Sequence, residues 1–287
     1  MSHLIQLREQ IKTIQVTKKI THAVRLVSMS LYGKLDKRSN ALKNYRAQLE
    51  KTYSLLYSQH PSWQNSLFLP KKTATAKPLI IIVSTAKGLC GSLNANLFRY
   101  LENSLQEESF NNSEFIAIGS RGAKFLKKSG HTPITHIYTE LTSNNYESIA
   151  NTLTDKIFSE SATYSNVIFY SNSSKNFFTQ TPKKTALLPI STNTQPSNDH
   201  RLADLIWEQE ASTILTKLAT QYARSIILEI LFQALLAEHA ARFLAMDSST
   251  TNAEKYLERL TVHYNKTRQA LITREVTELT TLDESNY

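Results

Sequence analysis

Residues 202–287, LADLIWEQEASTILTKLATQYARSIILEILFQALLAEHAARFLAMDSSTTNAEKYLERLTVHYNKTRQALITREVTELTTLDESNY, contain neither proline nor glycine. The last proline of the chain is Pro196 and the last glycine is Gly130, so nothing local stops a helix here. Apolar side chains recur at steps of three and four through Ile214, Leu218, Tyr222, Ile226 and Ile230, and again through Leu257, Leu260, Tyr264 and Leu271. That is the spacing of a helical stripe. At about 1.5 Å per residue an unbroken helix of this length would reach on the order of 120 Å, too far to bury its stripe on itself.

The other end of the chain supplies a partner of matching length. Between Met1 and Pro61 there is no proline and a single glycine, Gly33. Leu4, Leu7, Ile11 and Ile14 follow the three-four rhythm, and Leu35, Leu42, Leu49 and Leu56 repeat every seven residues, the period of a coiled-coil seam. Residues 1–60 hold 11 Lys and Arg against 3 Asp and Glu, whereas residues 202–287 hold 8 against 12. Opposite signs favour pairing, although each exposed ion pair contributes only a few tenths of a kcal/mol. The expected fold is therefore α/β: a long antiparallel coiled coil of N- and C-terminal helices with an inserted Rossmann-like α/β domain. The segments are 1–60, 61–201 and 202–287.

The middle segment alternates. His60 to Pro78 is a breaker-rich loop, and Leu79 to Thr85 (LIIIVST) is a continuous β-branched run of the kind that forms a buried parallel strand. Further strands are predicted at Phe115 to Ile118, Ile134 to Tyr138 and Val167 to Tyr170. The helices between them follow Leu93 to Leu105, Ala123 to Lys128 and Tyr146 to Ser159. Strand-helix alternation implies βαβ units with a mostly parallel sheet. Phe177 to Thr181 and Ala186 to Ile190 are candidate edge strands before a polar linker, Ser191 to Arg201.

With 287 residues, 41% of them hydrophobic and 20% charged, the chain has room for a core. Its net charge of +9 resides mainly in the first sixty residues, which could meet nucleic acid, an acidic membrane surface or an acidic protein. A lone cysteine, Cys90, excludes an internal disulfide framework and suits a reducing compartment. No apolar run is long enough to span a bilayer, and the N-terminus enters its helix with no secretory-type leader.

Chemical motifs are sparse. The turn STAKGLCGSLNANL, residues 84–97, joins a strand to a helix, where glycines and a helix N-terminus could approach an anion. It has neither P-loop nor G-x-G-x-x-G order, because Lys87 precedes the glycines. A tight turn forming a contact surface fits better. Cys90 beside the helix start could be a nucleophile or a small packed residue, and no His or Asp is tied to it by a motif. Glu238-His239 reverses the order of a zincin motif and has Phe243 where a second His is required. No cofactor, no metal and no active site within this chain are expected. The basic first helix lacks the aromatic interleaving of single-strand binders, and a basic face complementary to an acidic helix explains the same residues. A free-standing coiled-coil adaptor or nucleic-acid-binding protein is the competing class.

Three segments together resemble the gamma subunit of F-type ATP synthases. IKTIQVTKKITHAVRLVSMS (11–30) is similar to that family's opening helix, with Lys19, Ile20, Thr21 and Ala23 at its core. GLCGSLNANLF (88–98) is similar to its GLCGGLN-type turn. EHAARFLAMDSSTTNA (238–253) and YNKTRQALITREVTEL (264–279) resemble its C-terminal signature. The resemblance implies a rotor shaft whose paired terminal helices stand inside a ring of alternating alpha and beta subunits. It places the α/β domain below, with an epsilon subunit, on the membrane's c-ring. It implies a peripheral protein on the cytoplasmic face of the bacterial inner membrane, in contact with the membrane only through the c-ring and with no nucleic acid. Carried over by position, Arg268, Gln269 and Thr273 match residues that meet the catch loops of beta, and Lys87 matches an Arg of the turn that touches the beta subunits lower down. Lys18, Thr21, Arg25 and Ser28 are polar where strict heptads from Leu4 would place apolar residues, and are assigned to a bearing. Departures from the family pattern fall at Ala86 and Ser92 in the turn. Others lie at Val24 and the Leu26 to Leu31 run, where a basic residue is missing, and in the acidic ending after Leu279.

Overall fold

The structure, a computed structural model of the chain, describes residues 2–59, 63, 76–108, 113–159, 164–189 and 209–284. The breaker-rich loop after His60 lies almost wholly outside the described residues, as do the linker Ser191 to Arg201, the start of the C-terminal stretch at 202–208, and Ser285 to Tyr287.

Helix α1 (Ser2–Gln59) is followed by β1 (Lys77–Val83), α2 (Leu93–Glu108), β2 (Glu114–Ile118), α3 (Ser120–Lys128), β3 (Ile134–Tyr138), α4 (Tyr146–Ser159), β4 (Tyr164–Asn176), β5 (Thr179–Leu188) and α5 (Ala211–Glu284). The breaker-poor N-terminal stretch and the breaker-free C-terminal one thus form helices of 58 and 74 residues. Packing divides the chain into two compact units, Met1–Met29 with Arg242–Tyr287, and Ser30–Ala241.

The larger unit is built on a five-stranded sheet of order β3-β2-β1-β4-β5. The first four strands run parallel and β5 pairs antiparallel with β4. Strand β1 is central and buried on both faces, which is why its sequence reads as an unbroken aliphatic run rather than an alternating one. Ile80 and Ile82 face α2 and α3, packing with Leu97, Leu101, Ala123 and Leu126. Leu79, Ile81 and Val83 face the opposite way, into a larger core with Leu153 of α4, Leu35 of α1, and Ile227, Leu231 and Leu235 of α5. Antiparallel pairing of α1 and α5 within this unit is fixed by Arg46 on Glu229 and by stacking of Tyr53 on Tyr222, ring centroids 5.8 Å apart. The seven-residue leucine repeat points inward as its period requires: Leu35 is buried, and Leu42 and Leu49 pack on the same core.

Two local features decide the sheet's ends. Gly119, between β2 and α3, has φ +92, and a Cβ there would lie 2.2 Å from the Ser84 carbonyl oxygen. Only glycine fits. At the other edge the sequence suggests two short strands, but β4 and β5 form one long hairpin. The polar run Ser171 to Asn176 continues β4, and the Asn176 side-chain oxygen accepts the backbone N–H groups of Phe178 and Thr179 at the turn. An Asx-type turn of this kind needs no apolar signal, and Pro182 is tolerated because β5 is an edge strand.

In the smaller unit, the first part of α1 lies antiparallel to the last part of α5. Cross-helix contacts join His3 to His263, Lys18 to Glu254, Thr21 to Thr250 and Arg25 to Asp247.

Candidate functional site

The α1 positions that turn toward α5 in the smaller unit follow the heptad begun at Leu4. Leu7 is buried and Leu4, Ile11 and Ile14 are half-buried. The same series then reaches Lys18, Thr21, Arg25 and Ser28, so the structure brings all four together on the inward face. Thr21 is 9% and Ser28 2% exposed.

Each of these polar groups is satisfied. Lys18 Nζ lies 3.0 Å from Glu254 Oε1. Arg25 Nη1 donates to Asp247 Oδ1 at 2.6 Å, and its other terminal nitrogen is 3.0 Å from His22 Nδ1. The Thr250 hydroxyl is 2.9 Å from Thr21 Oγ1 and 2.7 Å from the Met246 carbonyl, while the Thr21 hydroxyl donates to the Lys18 carbonyl. Ser28 donates to the Val24 carbonyl at 2.8 Å. Polar groups paired across a helix seam, part-exposed as in the two ion pairs or buried as in the threonine pair, contribute little net stability but fix register, since a shifted alignment would leave them unpaired.

The outward face carries the opposite chemistry. Val16, Ile20, Leu26, Val27 and Met29 of α1 stand exposed, as do Tyr256, Val262, Ile272 and Val276 of α5. Over this stretch of α1 the positions turned toward α5 are polar, while large apolar side chains stand exposed among polar ones on the outside. Isolated exposed apolar residues are ordinary, but a band of them around a two-helix unit marks a surface made to be covered.

Arg268, Gln269 and Thr273 lie together on α5, exposed, and the Thr273 hydroxyl donates to the Gln269 carbonyl at 3.0 Å. Their neighbour Arg274 is paired with Glu278 at 2.7 Å. Among the described residues Arg268 forms no ion pair.

Lys87 belongs to the larger unit, in the turn after β1. Its ammonium is 3.3 Å from Glu140 and strongly exposed. The turn itself is locked. Asn94 accepts the Thr85 N–H and donates to Thr85 Oγ1, which in turn donates to the Lys87 carbonyl. Ser120 donates to the Ala86 carbonyl at 2.8 Å. Leu89, at φ 66, is thereby held outward and 61% exposed. Cys90 is buried against Leu93 and Ala241, the packed alternative of the two open in the sequence, with its Sγ 3.3 Å from the Gly88 carbonyl oxygen. Among the described residues no cluster of three or more potential ligands could hold a metal, and no helix is long and apolar enough to cross a membrane.

Sequence reasoning missed the α5 partners Glu254, Thr250 and Asp247 and the exposed apolar band. The signal for the band was present: Ile20, Val27 and Met29 are apolar at positions outside the Leu4 heptad. The family model described as ATP synthase matches residues 3–281. The ATP synthase gamma chain of Verminephrobacter eiseniae (strain EF01-2) is 31% identical over 283 residues, covering 96% of this chain and 95% of its own. That of Variovorax paradoxus (strain S110) is 32% identical with the same coverage. Among solved structures, a chain of the Euglena gracilis mitochondrial ATP synthase, OSCP/F1/c-ring, has a similar fold with a TM-score of 0.69 at 16% identity, covering 99% of this chain and 94% of that one. A chain of the Tetrahymena thermophila mitochondrial ATP synthase central stalk and c-ring aligns with a TM-score of 0.60 at 18% identity, over 80% and 98% of the two chains.

Proposed function

Because the chain belongs to the ATP synthase gamma chain family, we infer that it is the central-stalk rotor subunit of an F-type ATP synthase. In this role it transmits torque between the membrane c-ring and the alpha/beta catalytic hexamer during ATP synthesis or hydrolysis coupled to ion transport. The observation that carries the reading is the pairing, in the smaller unit, of polar cross-helix ties with exposed aliphatic side chains on α1. The unit's helices are tied by Lys18–Glu254, Thr21–Thr250 and Arg25–Asp247 while Ile20, Leu26, Val27 and Met29 face outward. A shaft must resist slippage between its own strands and present a smooth, weakly hydrogen-bonding surface to the collar that surrounds it. Polar groups turned inward and aliphatic groups turned outward meet both requirements.

The bearing is the α1 stretch from Lys18 to Ser28. Lys18, Thr21 and Arg25 hold the helices in register, Ser28 lies buried in the seam bonded to its own helix, and the aliphatic side chains between them make the sliding face. Arg268, Gln269 and Thr273 form the contact with the catch loops of the beta subunits; Arg268, unpaired among the described residues, is free to meet an acidic loop. Lys87 serves a lower contact with the same ring. Segment 61–201 sits with an epsilon subunit on the c-ring, and segments 1–60 and 202–287 form the shaft. The complex lies on the cytoplasmic face of the bacterial inner membrane, where this chain is peripheral.

Copurification tests the reading. An affinity-tagged chain expressed in its host is expected to bring down alpha and beta subunits in a three-three-one assembly together with epsilon. Recovery of the chain alone, or loaded with nucleic acid, would refute it.

A further inference from the structure

We propose that the larger unit holds a binding site for a small tetrahedral oxyanion, with inorganic phosphate as its ligand, in a cavity between the β4–β5 hairpin and the α1–α5 pair. The cavity measures about 150 Å³. Pockets for drug-sized ligands run to roughly 300–1,000 Å³, so this space suits a single phosphate group better than a larger molecule.

Three elements build it. Ser171 pairs directly with Lys183 across the hairpin, and Phe169 pairs with Thr185. Directly opposed residues share a face and side chains alternate along a strand, so Ser171, Ser173, Lys183 and Thr185 all stand on the face where Phe169 packs into the helix-side core. That face is apolar as far as Phe169 and becomes a floor of hydroxyls beyond it. Lys43 and Arg46, one turn apart on α1, and Glu229 on α5 complete the lining.

The charge balance favours an anion. Three cations line the cavity against one carboxylate, and that carboxylate is already engaged by Arg46. Among the described residues neither Lys43 nor Lys183 has a carboxylate partner. The Arg46 Nε is buried and makes no hydrogen bond among the described residues, although a buried donor without an acceptor is costly. Ser171 is 3% exposed at the floor, whereas Lys43 and Lys183 are exposed at the mouth. Hydroxyl donors below and ammonium groups above are the complement of a phosphate's oxygens, for which charge-assisted hydrogen bonds are the strong ones.

The purified full chain is titrated with inorganic phosphate by calorimetry at constant ionic strength, with chloride as the balancing anion. Saturable one-to-one binding is expected for the unaltered chain. Its absence, or an equal response to chloride, overturns the proposal whatever the variants do. Lys43→Gln with Lys183→Gln is expected to weaken binding by at least about a hundredfold, near tenfold for each charge-assisted contact. A control pair on α3, which packs on the opposite face of the sheet, Lys124→Gln with Lys127→Gln, removes the same charge from exposed positions and is expected to leave binding unchanged. Equal weakening in both pairs would mean attraction by net charge alone and would refute the site. Should the cavity pair fail to fold, Ser171→Val tests the floor: lost binding supports the site, and undiminished binding refutes it.

Discussion

Replacing Leu26 and Val27 together by glutamate separates a surface made to be covered from one that is merely apolar. Leu26 is 55% and Val27 58% exposed, so about half of each side chain remains for a partner to bury. Full burial of such side chains is worth roughly 1.5–3 kcal/mol each, which leaves about 1 kcal/mol per residue for the collar to supply. Introducing a carboxylate into an apolar contact costs at least about 1–3 kcal/mol more per group. The double change should therefore weaken seating in the alpha/beta ring by about 4 kcal/mol or more, on the order of a thousandfold. The free chain should barely respond, because both positions face solvent and glutamate is a good helix former; its stability should stay within about 0.5 kcal/mol. The assay has two arms, urea unfolding of the purified chain and recovery of alpha and beta subunits on the tagged chain. Undiminished recovery would refute the covered band. Loss of chain stability in step with lost recovery would show that the two residues support the fold instead.

Gly119→Ala is expected to cost about 3 kcal/mol or more, because the added carbon meets the Ser84 carbonyl oxygen at 2.2 Å and φ is +92; a urea midpoint near that of the unaltered chain would contradict this. A double-mutant cycle on Arg25→Ala and Asp247→Ala should return a coupling of about 0.5–1 kcal/mol that shrinks with added salt, since both side chains are partly exposed. Arg268→Glu with Gln269→Ala should lower coupled ATP turnover in the assembled complex while leaving the free chain's Tm unchanged, and unaltered turnover would remove these residues from the contact. Tyr146 is buried and donates to Glu147 at 2.8 Å; burial and then the adjacent carboxylate push its pKa up to about 12 from 10.0. The folded chain thus keeps a proton that the unfolded chain releases. Its contribution to stability is whole below about pH 10 and declines as pH rises toward about 12, a decline that Tyr146→Phe should reduce in alkaline unfolding curves.

The long helices and the central strands were legible because each obeys one local rule: no breaker between Ala211 and Glu284, and unbroken apolar runs at Leu79 to Val83 and Phe115 to Ile118. The hairpin was not, since Ser171 to Asn176 carries no apolar alternation and is held as strand by pairing with β5. The heptad from Leu4 located Lys18, Thr21, Arg25 and Ser28, yet their inward direction depends on Glu254, Thr250 and Asp247, more than two hundred residues away. No periodicity in either helix announces that match. The hydroxyl-floored cavity was equally hidden, because Lys43, Ser171 and Lys183 are brought together only by the folded sheet and helices.

The cross-helix contacts of the smaller unit sit at separate heights, Arg25–Asp247, Thr21–Thr250 and Lys18–Glu254, one turn after another. Suppose α1 were to ratchet one helical turn, about 5.4 Å, along α5. An all-aliphatic seam would trade each contact for an equivalent neighbour and creep under load. Here every ion pair would break together, and the paired threonines would part at the same moment. Twisting force applied at one end is therefore returned at the other rather than dissipated as slip.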